Sequence, residues 1–148
     1  MPDSIAVDAR VSALVSFYES LQPNTLALLN TLYAHDAHFK DPFNDVVGVA
    51  AINGIFCHMF ASVDQPQFRV DTAFSQGDHA FLAWQFTFQW SGKPKSRVLV
   101  RGASHLVFNA QGKVCLHRDY WDAAEELYEK LPVLGSVMRW IKKRLRAS

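Results

Sequence analysis

The sequence predicts one α+β domain, because a block of helical periodicity is followed by a block of strand periodicity. Apolar residues recur at helical spacing in the first part of the chain, and from residue 68 onward they alternate with polar residues. Turn sequences at 76–78, 91–94 and 109–112 divide the second block into strands. Helices followed by a strand meander are typical of an α+β fold rather than of alternating βαβ units. The 148 residues fit a single domain.

Three helices are predicted in the N-terminal part. The first shows i, i+3, i+4, i+7 spacing in Val11, Leu14, Val15 and Tyr18. Pro23 suits the first turn of a second, short helix. After an extended segment at 37–41, Gly48 opens a third helix with one apolar face, formed by Ile52, Ile55, Phe56, Met59 and Val63.

Four strands are predicted to follow. The first alternates with Phe68, Val70, Thr72 and Phe74 on one face. The second is the clearest, since one face is wholly aromatic: Trp84, Phe86, Phe88 and Trp90. Segments 97–108 and 113–121 form the third and fourth strands. An aromatic face of this kind either fills a core or lines a cavity.

Residues 1–122 form the predicted domain, and 123–148 form a C-terminal helical extension of it. The extension carries an apolar stripe of Leu134, Val137, Met138, Ile141 and Leu145. Opposite the stripe stand Arg139, Lys142, Lys143, Arg144 and Arg146. We expect a homodimer whose tail packs on protein, because amphipathic helices usually bury their stripe that way. Contact with a membrane surface is the less favoured alternative.

Composition excludes several classes of function. The formal net charge of +1 offers no basic excess for nucleic acid. We expect a cytoplasmic protein, since the N-terminus has no signal-peptide pattern and no apolar stretch reaches the roughly 18 residues of a membrane span. No metal is expected, because His35, Asp36 and His38 match no ligand motif. No Gly-rich phosphate loop is present, so no cofactor is expected either.

Three segments carry a resemblance to known proteins. The segment LYAHDAHFKDPF, residues 32–43, resembles the ketosteroid isomerase segment that carries the catalytic aspartate. The run from Phe108 to Trp121 resembles the same enzymes, and its end, RDYWD, is similar to limonene epoxide hydrolases. Residues 8–122 therefore resemble the nuclear transport factor 2-like (NTF2-like, cystatin-like) superfamily, which includes the SnoaL-like polyketide cyclases. The resemblance implies a cone-shaped, curved antiparallel sheet, with three N-terminal helices closing its concave face over an apolar pocket.

The same resemblance implies three catalytic candidates. Asp41 matches the isomerase base, and a carboxylate at the rim of an apolar pocket suits proton transfer beside a carbonyl. Asp119 matches a water-activating aspartate of the epoxide hydrolases, and His117, on the same strand face, would shuttle protons. For Asp41 the alternative is turn chemistry, which is common for Asp before Pro. For His117 and Asp119 the alternative is a structural polar pair whose hydrogen bonds are completed by Ser104 or by neighbouring backbone.

Other matched positions imply a binding pocket without the isomerase oxyanion hole. Phe17 stands where the isomerases have a catalytic tyrosine, and Tyr18 lies about 100° further round the helix. Ser104 stands where they have a protonated aspartate. Limonene-type hydrolysis is also disfavoured, because Leu82 and Trp84 occupy its other two catalytic positions. The expected substrate-binding residues are Phe17, Tyr18, Trp84, Phe86, Phe88, Ser104 and Trp121.

We therefore expect a SnoaL-like protein that takes a small apolar molecule into its pocket. The expected chemistry is cofactor-independent acid–base catalysis, namely isomerisation, cyclisation or hydration of an apolar cyclic substrate. The alternative is a non-catalytic module for ligand binding or dimeric assembly, since this fold serves enzymes and non-enzymes alike.

The protein should lack appreciable Δ5-ketosteroid isomerase activity, because Phe17 and Ser104 replace the oxyanion-hole donors. One such donor is worth about 10²–10³ in rate. A turnover assay with a Δ5-3-ketosteroid measures this, and the rate of a true isomerase would contradict the argument. The double change Phe17→Tyr and Ser104→Asp should raise any trace activity if Asp41 is the base.

Overall fold

The computed structural model describes residues 8–95, 97–126 and 132–146, and they form one sheet and several helices. The strands are Tyr33–Lys40 (β1), Asp45–Val47 (β2), Val63–Gln76 (β3), His79–Trp90 (β4), Val98–Phe108 (β5) and Val114–Tyr120 (β6). The α-helices are Ala9–Glu19 (α1), Leu29–Leu32 (α2), Val49–Ser62 (α3), Ala123–Glu126 (α4) and Pro132–Leu145 (α5). A 3₁₀ helix, Pro23–Leu28, precedes α2.

The sheet is open and curved, with six strands in the order β2-β1-β6-β5-β4-β3. The α+β class is confirmed, but the sheet is mixed rather than wholly antiparallel, because β1 and β6 pair in parallel. No hairpin joins these two strands. The chain between them contains α3 and the whole β3–β5 meander, and a long connection of this kind permits parallel pairing.

The second predicted helix is only partly α-helical. Local hydrogen bonds explain this, since Gln22 N donates to Thr25 Oγ1 at 3.0 Å and Thr25 Oγ1 donates to Gln22 O at 2.9 Å. Such side-chain bonds to nearby backbone compete with the α-helical pattern. The extended segment that follows begins at Tyr33, four residues earlier than the sequence indicated.

Helices α1 and α3 cover the inner face of the sheet. Val11 and Leu14 of α1 and Ile52 of α3 are almost completely buried. Asp8 caps α1 by accepting from Arg10 N at 2.9 Å, and Ser75 Oγ at the end of β3 donates to the same carboxylate at 3.0 Å. The hydrogen bonds from the Arg10 side chain hold the pKa of Asp8 well below its usual range. This contact fixes the start of α1 to the β3–β4 hairpin.

A bulge in β3 changes which residues face the helices. The pairing with β4 shifts between Val70 and Thr72, so one extra residue enters β3 and the side-chain alternation reverses. Phe68 and Val70 face inward, whereas Phe74 is 57% exposed and stacks on Phe81 of β4. The common face predicted for Phe68, Val70, Thr72 and Phe74 is therefore wrong beyond the bulge.

The described apolar side chains of α5 do not pack against the domain. Val137, Trp140, Ile141 and Leu145 are all exposed. The predicted stripe also contains Leu134 and Met138, whose side chains lie outside the described residues. Among the helices that the structure describes, none is long and apolar enough to cross a membrane.

Gly102 of β5 lies directly beneath the ring of Trp84. A Cβ added at Gly102 would stand 2.4 Å from Cη2 and 2.6 Å from Cζ2 of that ring. The position therefore has no room for a side chain while Trp84 keeps its place.

Gly102→Ala should lower the free energy of unfolding by about 1–3 kcal/mol, because the indole must shift to admit the methyl group. The matched control is Gly54→Ala in α3, where an added Cβ meets nothing within 4 Å. The control should raise stability by about 0.5–1 kcal/mol through helix propensity. Urea unfolding of both variants tests the contrast, and equal effects would contradict it.

Candidate functional site

A cavity of about 290 Å³ lies between the inner face of the sheet and helices α1 and α3. One wall is the aromatic face of β4, formed by Trp84, Phe86, Phe88 and Trp90. Further rings come from β1, α3 and β3, namely Phe39, Phe56 and Phe68. The cavity is thus mostly apolar with a few polar groups, which is the usual composition of a small-molecule site.

The Asp119 carboxylate, near the end of β6, is the centre of the polar part of the lining. Ser104 Oγ, on the neighbouring strand β5, donates to Asp119 Oδ1 at 2.5 Å. His117 Nε2 lies 2.6 Å from the same oxygen. Trp84 Nε1 in turn donates to Ser104 Oγ at 2.8 Å. Within the described residues no hydrogen bond reaches Oδ2 of Asp119, so this second oxygen is available to a bound molecule.

His117 connects Asp119 to two tyrosines. Its side chain is only 3% exposed, and its Nδ1 lies 2.6 Å from the hydroxyl of Tyr33 and 3.4 Å from that of Tyr18. The two phenol groups share a hydrogen bond with each other. Tyr33 lies on β1 and His117 lies on β6. The two strands pair in parallel with Phe39 beside His117, and this pairing holds β1 close enough for the contact between Tyr33 and His117.

The Asp119 carboxylate, at the end of this chain of hydrogen bonds, determines which group donates in each bond. A carboxylate oxygen only accepts, so His117 donates through Nε2 and its Nδ1 accepts from Tyr33. The Tyr33 oxygen can then accept from Tyr18. One chain of donors therefore runs from Tyr18 to Asp119, and a second runs from Trp84 through Ser104 to the same oxygen.

Both phenols stay neutral over the physiological range. Burial raises the pKa of Tyr18 well above its usual value, and the negative charge of Asp119 adds to this effect. Burial likewise raises the pKa of Tyr33. Neutral phenols keep their protons, and each can therefore donate a hydrogen bond within the chain that leads to Asp119.

Asp41 also lines the cavity, but its carboxylate belongs to a turn. Its Oδ1 accepts from the backbone N–H of Phe43 at 2.8 Å and of Asn44 at 2.6 Å. The Asn44 side chain donates to both carboxylate oxygens at 3.1 Å. These contacts are the turn chemistry that the Asp-Pro sequence offered as the alternative.

The structure brings most of the predicted site residues to the cavity. Catalytic candidates at its lining are Asp41, His117 and Asp119, and the predicted binding residues found there are Tyr18, Trp84, Phe86, Phe88, Ser104 and Trp121. Phe17 is the exception, since it is buried in the core edge-on to Tyr18. Consecutive helical residues point about 100° apart, so the tyrosine one position later faces the cavity instead.

Sequence reasoning missed Tyr33 and Asn44. Tyr33 was part of the segment that carried the resemblance, but only the pairing of β1 with β6 sets its hydroxyl against His117. Asn44 follows Pro42 by two residues, a spacing that suits a turn and gives no sign of a contact with Asp41. In the part of the chain that is described, no three His, Cys, Asp or Glu side chains are grouped to bind a metal ion.

A family model described as a SnoaL-like domain matches residues 14–117. The matched span runs from α1 to His117 and includes most of the cavity lining. No curated protein matches the sequence.

Solved structures share the fold at low sequence identity. A proposed SnoaL-like polyketide cyclase from Jannaschia sp. CCS1 superposes with a TM-score of 0.70 at 14% identity, over 84% of this chain and 94% of that one. An LEH-like epoxide hydrolase from M. tuberculosis gives 0.67 at 15% identity, over 94% of both chains. A hypothetical protein of ketosteroid isomerase-like fold from Catenulispora acidiphila DSM 44928, in complex with trimethylamine, gives 0.68 at 21%, over 82% and 91%. At these identities the similarity shows the fold alone.

The buried phenols predict how stability depends on alkaline pH. The pKa of Tyr18 and Tyr33 is raised in the folded protein, so the unfolded chain releases these protons first as pH rises past 10.0. The contribution of these two phenols to the free energy of unfolding should therefore be constant below that pH and fall above it. Tyr33→Phe should flatten the fall, whereas Tyr120→Phe, at a half-exposed residue, should leave it unchanged. Urea unfolding between pH 8 and about 11 measures the slopes, and an unaltered slope in Tyr33→Phe would contradict the assignment.

Proposed function

This chain belongs to the SnoaL-like domain family, and we propose that its cavity binds a small apolar cyclic carbonyl compound and moves a proton on it without a cofactor. In this proposal Asp119 is the base, His117 is the proton shuttle, and the β4 aromatics hold the substrate. Among the reaction types that start with such a step are isomerisation and cyclisation.

One observation carries the proposal: Asp119 is held by one oxygen while the other has no hydrogen bond among the described residues. Ser104 and His117 both bond to Oδ1, which fixes the plane of the carboxylate. Oδ2 is therefore a positioned acceptor on a residue that lines the apolar cavity. A general base needs a defined position within hydrogen-bond reach of the proton that it removes.

The proton transfer would proceed in two balanced steps. Asp119 Oδ2 takes a proton from the carbon next to the carbonyl, and the electron pair of that C–H bond moves into the carbonyl group to form an enolate. Asp119 then returns the proton to a different carbon, either directly or through His117, which gives its Nε2 proton to that carbon and is reprotonated by Asp119. A cyclisation differs only in that the enolate carbon attacks a second carbonyl of the same molecule before protonation.

Asp119 suits this role better than Asp41. Both carboxylate oxygens of Asp41 accept hydrogen bonds inside its turn, so a substrate would have to displace Asn44 to reach them. Asp119 needs no such displacement. Asp41 lies at the same cavity and is better suited to shaping its rim.

The wall indicates the shape of the substrate. Phe68 and Phe86 stack with their ring centroids 4.3 Å apart, and Phe86 and Phe88 are 5.2 Å apart. Such a surface favours a flat, apolar ring system, because aromatic side chains offer large rigid contact areas. A volume of about 290 Å³ is at the small end for ligand sites, which favours one or two fused rings.

A binding or assembly module is the second candidate, and the outer face of the sheet favours it. Phe74 and Phe81 are exposed and stacked, and the His105 ring stacks on Phe81 with centroids 4.7 Å apart. A patch of exposed aromatic rings marks a surface that a partner can cover. In this alternative a second copy of the chain would cover the patch, and the cavity would hold a ligand without changing it.

Proton exchange in deuterated buffer tests the proposed catalysis, because it requires only the first step. We expect the protein to accelerate exchange of the α-protons of 2-tetralone, a flat bicyclic ketone, as followed by NMR. Asp119→Asn should lower the acceleration by about 10²–10⁴-fold, the usual contribution of a positioned base.

Asp41→Asn is the matched control, since its amide oxygen can still accept the backbone bonds of the turn, and its rate should stay near that of the wild type. Loss of exchange in this control alone would transfer the role of base to Asp41. Binding of 2-tetralone without any exchange would favour the binding module.

A further inference from the structure

The C-terminal helix α5 has one face whose described apolar side chains are left exposed. Trp140 is 59% exposed and Leu145 is 80% exposed, and Val137 and Ile141 are exposed beside them. Trp140 and Ile141 follow Val137 by three and four residues, and Leu145 follows Ile141 by four, so all four lie on one side of the helix. An apolar helix face of this kind is normally buried against something.

The opposite face of α5 is strongly basic. The segment 132–146 contains no Asp or Glu and has five basic residues. Arg139, Lys142, Lys143 and Arg146 share this face, and Arg144 lies at the edge of the apolar face. The whole chain has a net charge of only +1, so the rest of the protein is acidic on balance. A partner that is apolar and also carries negative charge therefore suits both faces of α5.

We propose that α5 lies in the surface of an anionic membrane, with its apolar face in the acyl region and its basic face at the lipid phosphates. A helix of 14 residues is about 21 Å long, which is too short to span a bilayer and sufficient to lie along its surface. The acidic balance of the rest of the chain orients the protein, since an anionic surface attracts the tail and repels the body.

Arg144 distinguishes a lipid surface from a second copy of the helix. It lies four residues after Trp140 and three after Ile141, so it is at the edge of the apolar face. Its guanidinium stands 5.2 Å from the centroid of the Trp140 ring. Between two α5 helices this charge would be enclosed with no acidic residue on either segment. At a lipid surface its long stem can stay in the apolar layer while the charge reaches a phosphate.

Trp140 also suits a position at the boundary between water and lipid. Its ring has a large apolar surface and one N–H donor, and tryptophan is enriched at the level of the lipid headgroups for this reason. Its exposure in the folded chain leaves the ring accessible to the bilayer without any rearrangement of the domain.

Vesicle co-sedimentation of the full chain tests the proposal. We expect binding to vesicles of phosphatidylglycerol mixed with phosphatidylcholine to be at least about tenfold stronger than binding to phosphatidylcholine alone, because several basic residues each add to the attraction. Added salt should weaken it, as the Debye length shortens. Equal binding to both vesicle types, or none to either, would overturn the proposal.

Two double variants separate the two faces of the helix. Ile141→Gln with Leu145→Gln removes apolar surface, and Arg139→Gln with Lys143→Gln removes charge; each should lose most of the vesicle binding. All four side chains are exposed, so thermal unfolding should be unchanged.

Matched controls lie elsewhere on the surface. Lys95→Gln with Arg101→Gln removes the same charge from exposed positions near and on β5, and Phe74→Gln removes exposed apolar surface from the sheet. Both controls should bind as the wild type does, and a loss in either that equals the loss in the α5 variants would count against a specific role of the helix.

Light scattering without lipid completes the test. The molecular mass should be the same for the wild type and for the apolar-face variant. A lower mass in that variant would show that α5 is covered by a second copy of the chain, and the membrane proposal would then be wrong.

Discussion

Two chains of hydrogen bonds end on a single oxygen of Asp119. The arrangement of the cavity depends on these bonds, because every buried polar group in them needs a partner. A buried polar group without a partner costs about 1–3 kcal/mol, so His117 and Ser104 can be buried only because each is bonded on both sides. Within the described residues no buried side-chain nitrogen or oxygen lacks a partner. The carboxylate therefore has a fixed orientation before any ligand arrives.

The fold positions this network through three local features. Parallel pairing of β1 with β6 brings the strand that begins with Tyr33 to His117. The bulge in β3 keeps Phe68 and Val70 at the cavity while it turns Phe74 to the outside. Gly102 has no side chain, so the Trp84 ring can lie against its backbone. In that position Nε1 of Trp84 donates to Ser104. Each feature contributes one wall or one donor to the same small volume.

The cavity and helix α5 are different parts of the chain, and their proposed roles are physically compatible. An apolar substrate has low solubility in water and collects in membranes, because its transfer out of water is favourable. A protein bound to a membrane through α5 would lie close to the lipid phase in which such a compound is concentrated. The cavity and the helix nevertheless rest on separate observations, since the first depends on Asp119 and the second on the uncovered face at Trp140 and Leu145.

The sequence by itself determined the α+β class, the strand β4 with its aromatic face, and the candidates Asp119 and His117, because regular alternation and a matched motif are local properties. Tertiary structure decided what depends on distant segments. It set Tyr18 rather than Phe17 at the cavity, paired β1 parallel to β6, and brought Tyr33 to His117. It also placed the Asp41 carboxylate in a turn with Asn44. Packing across the whole domain determines the bulges, the strand order and the rotation of the helices. A local pattern of residues therefore does not predict them.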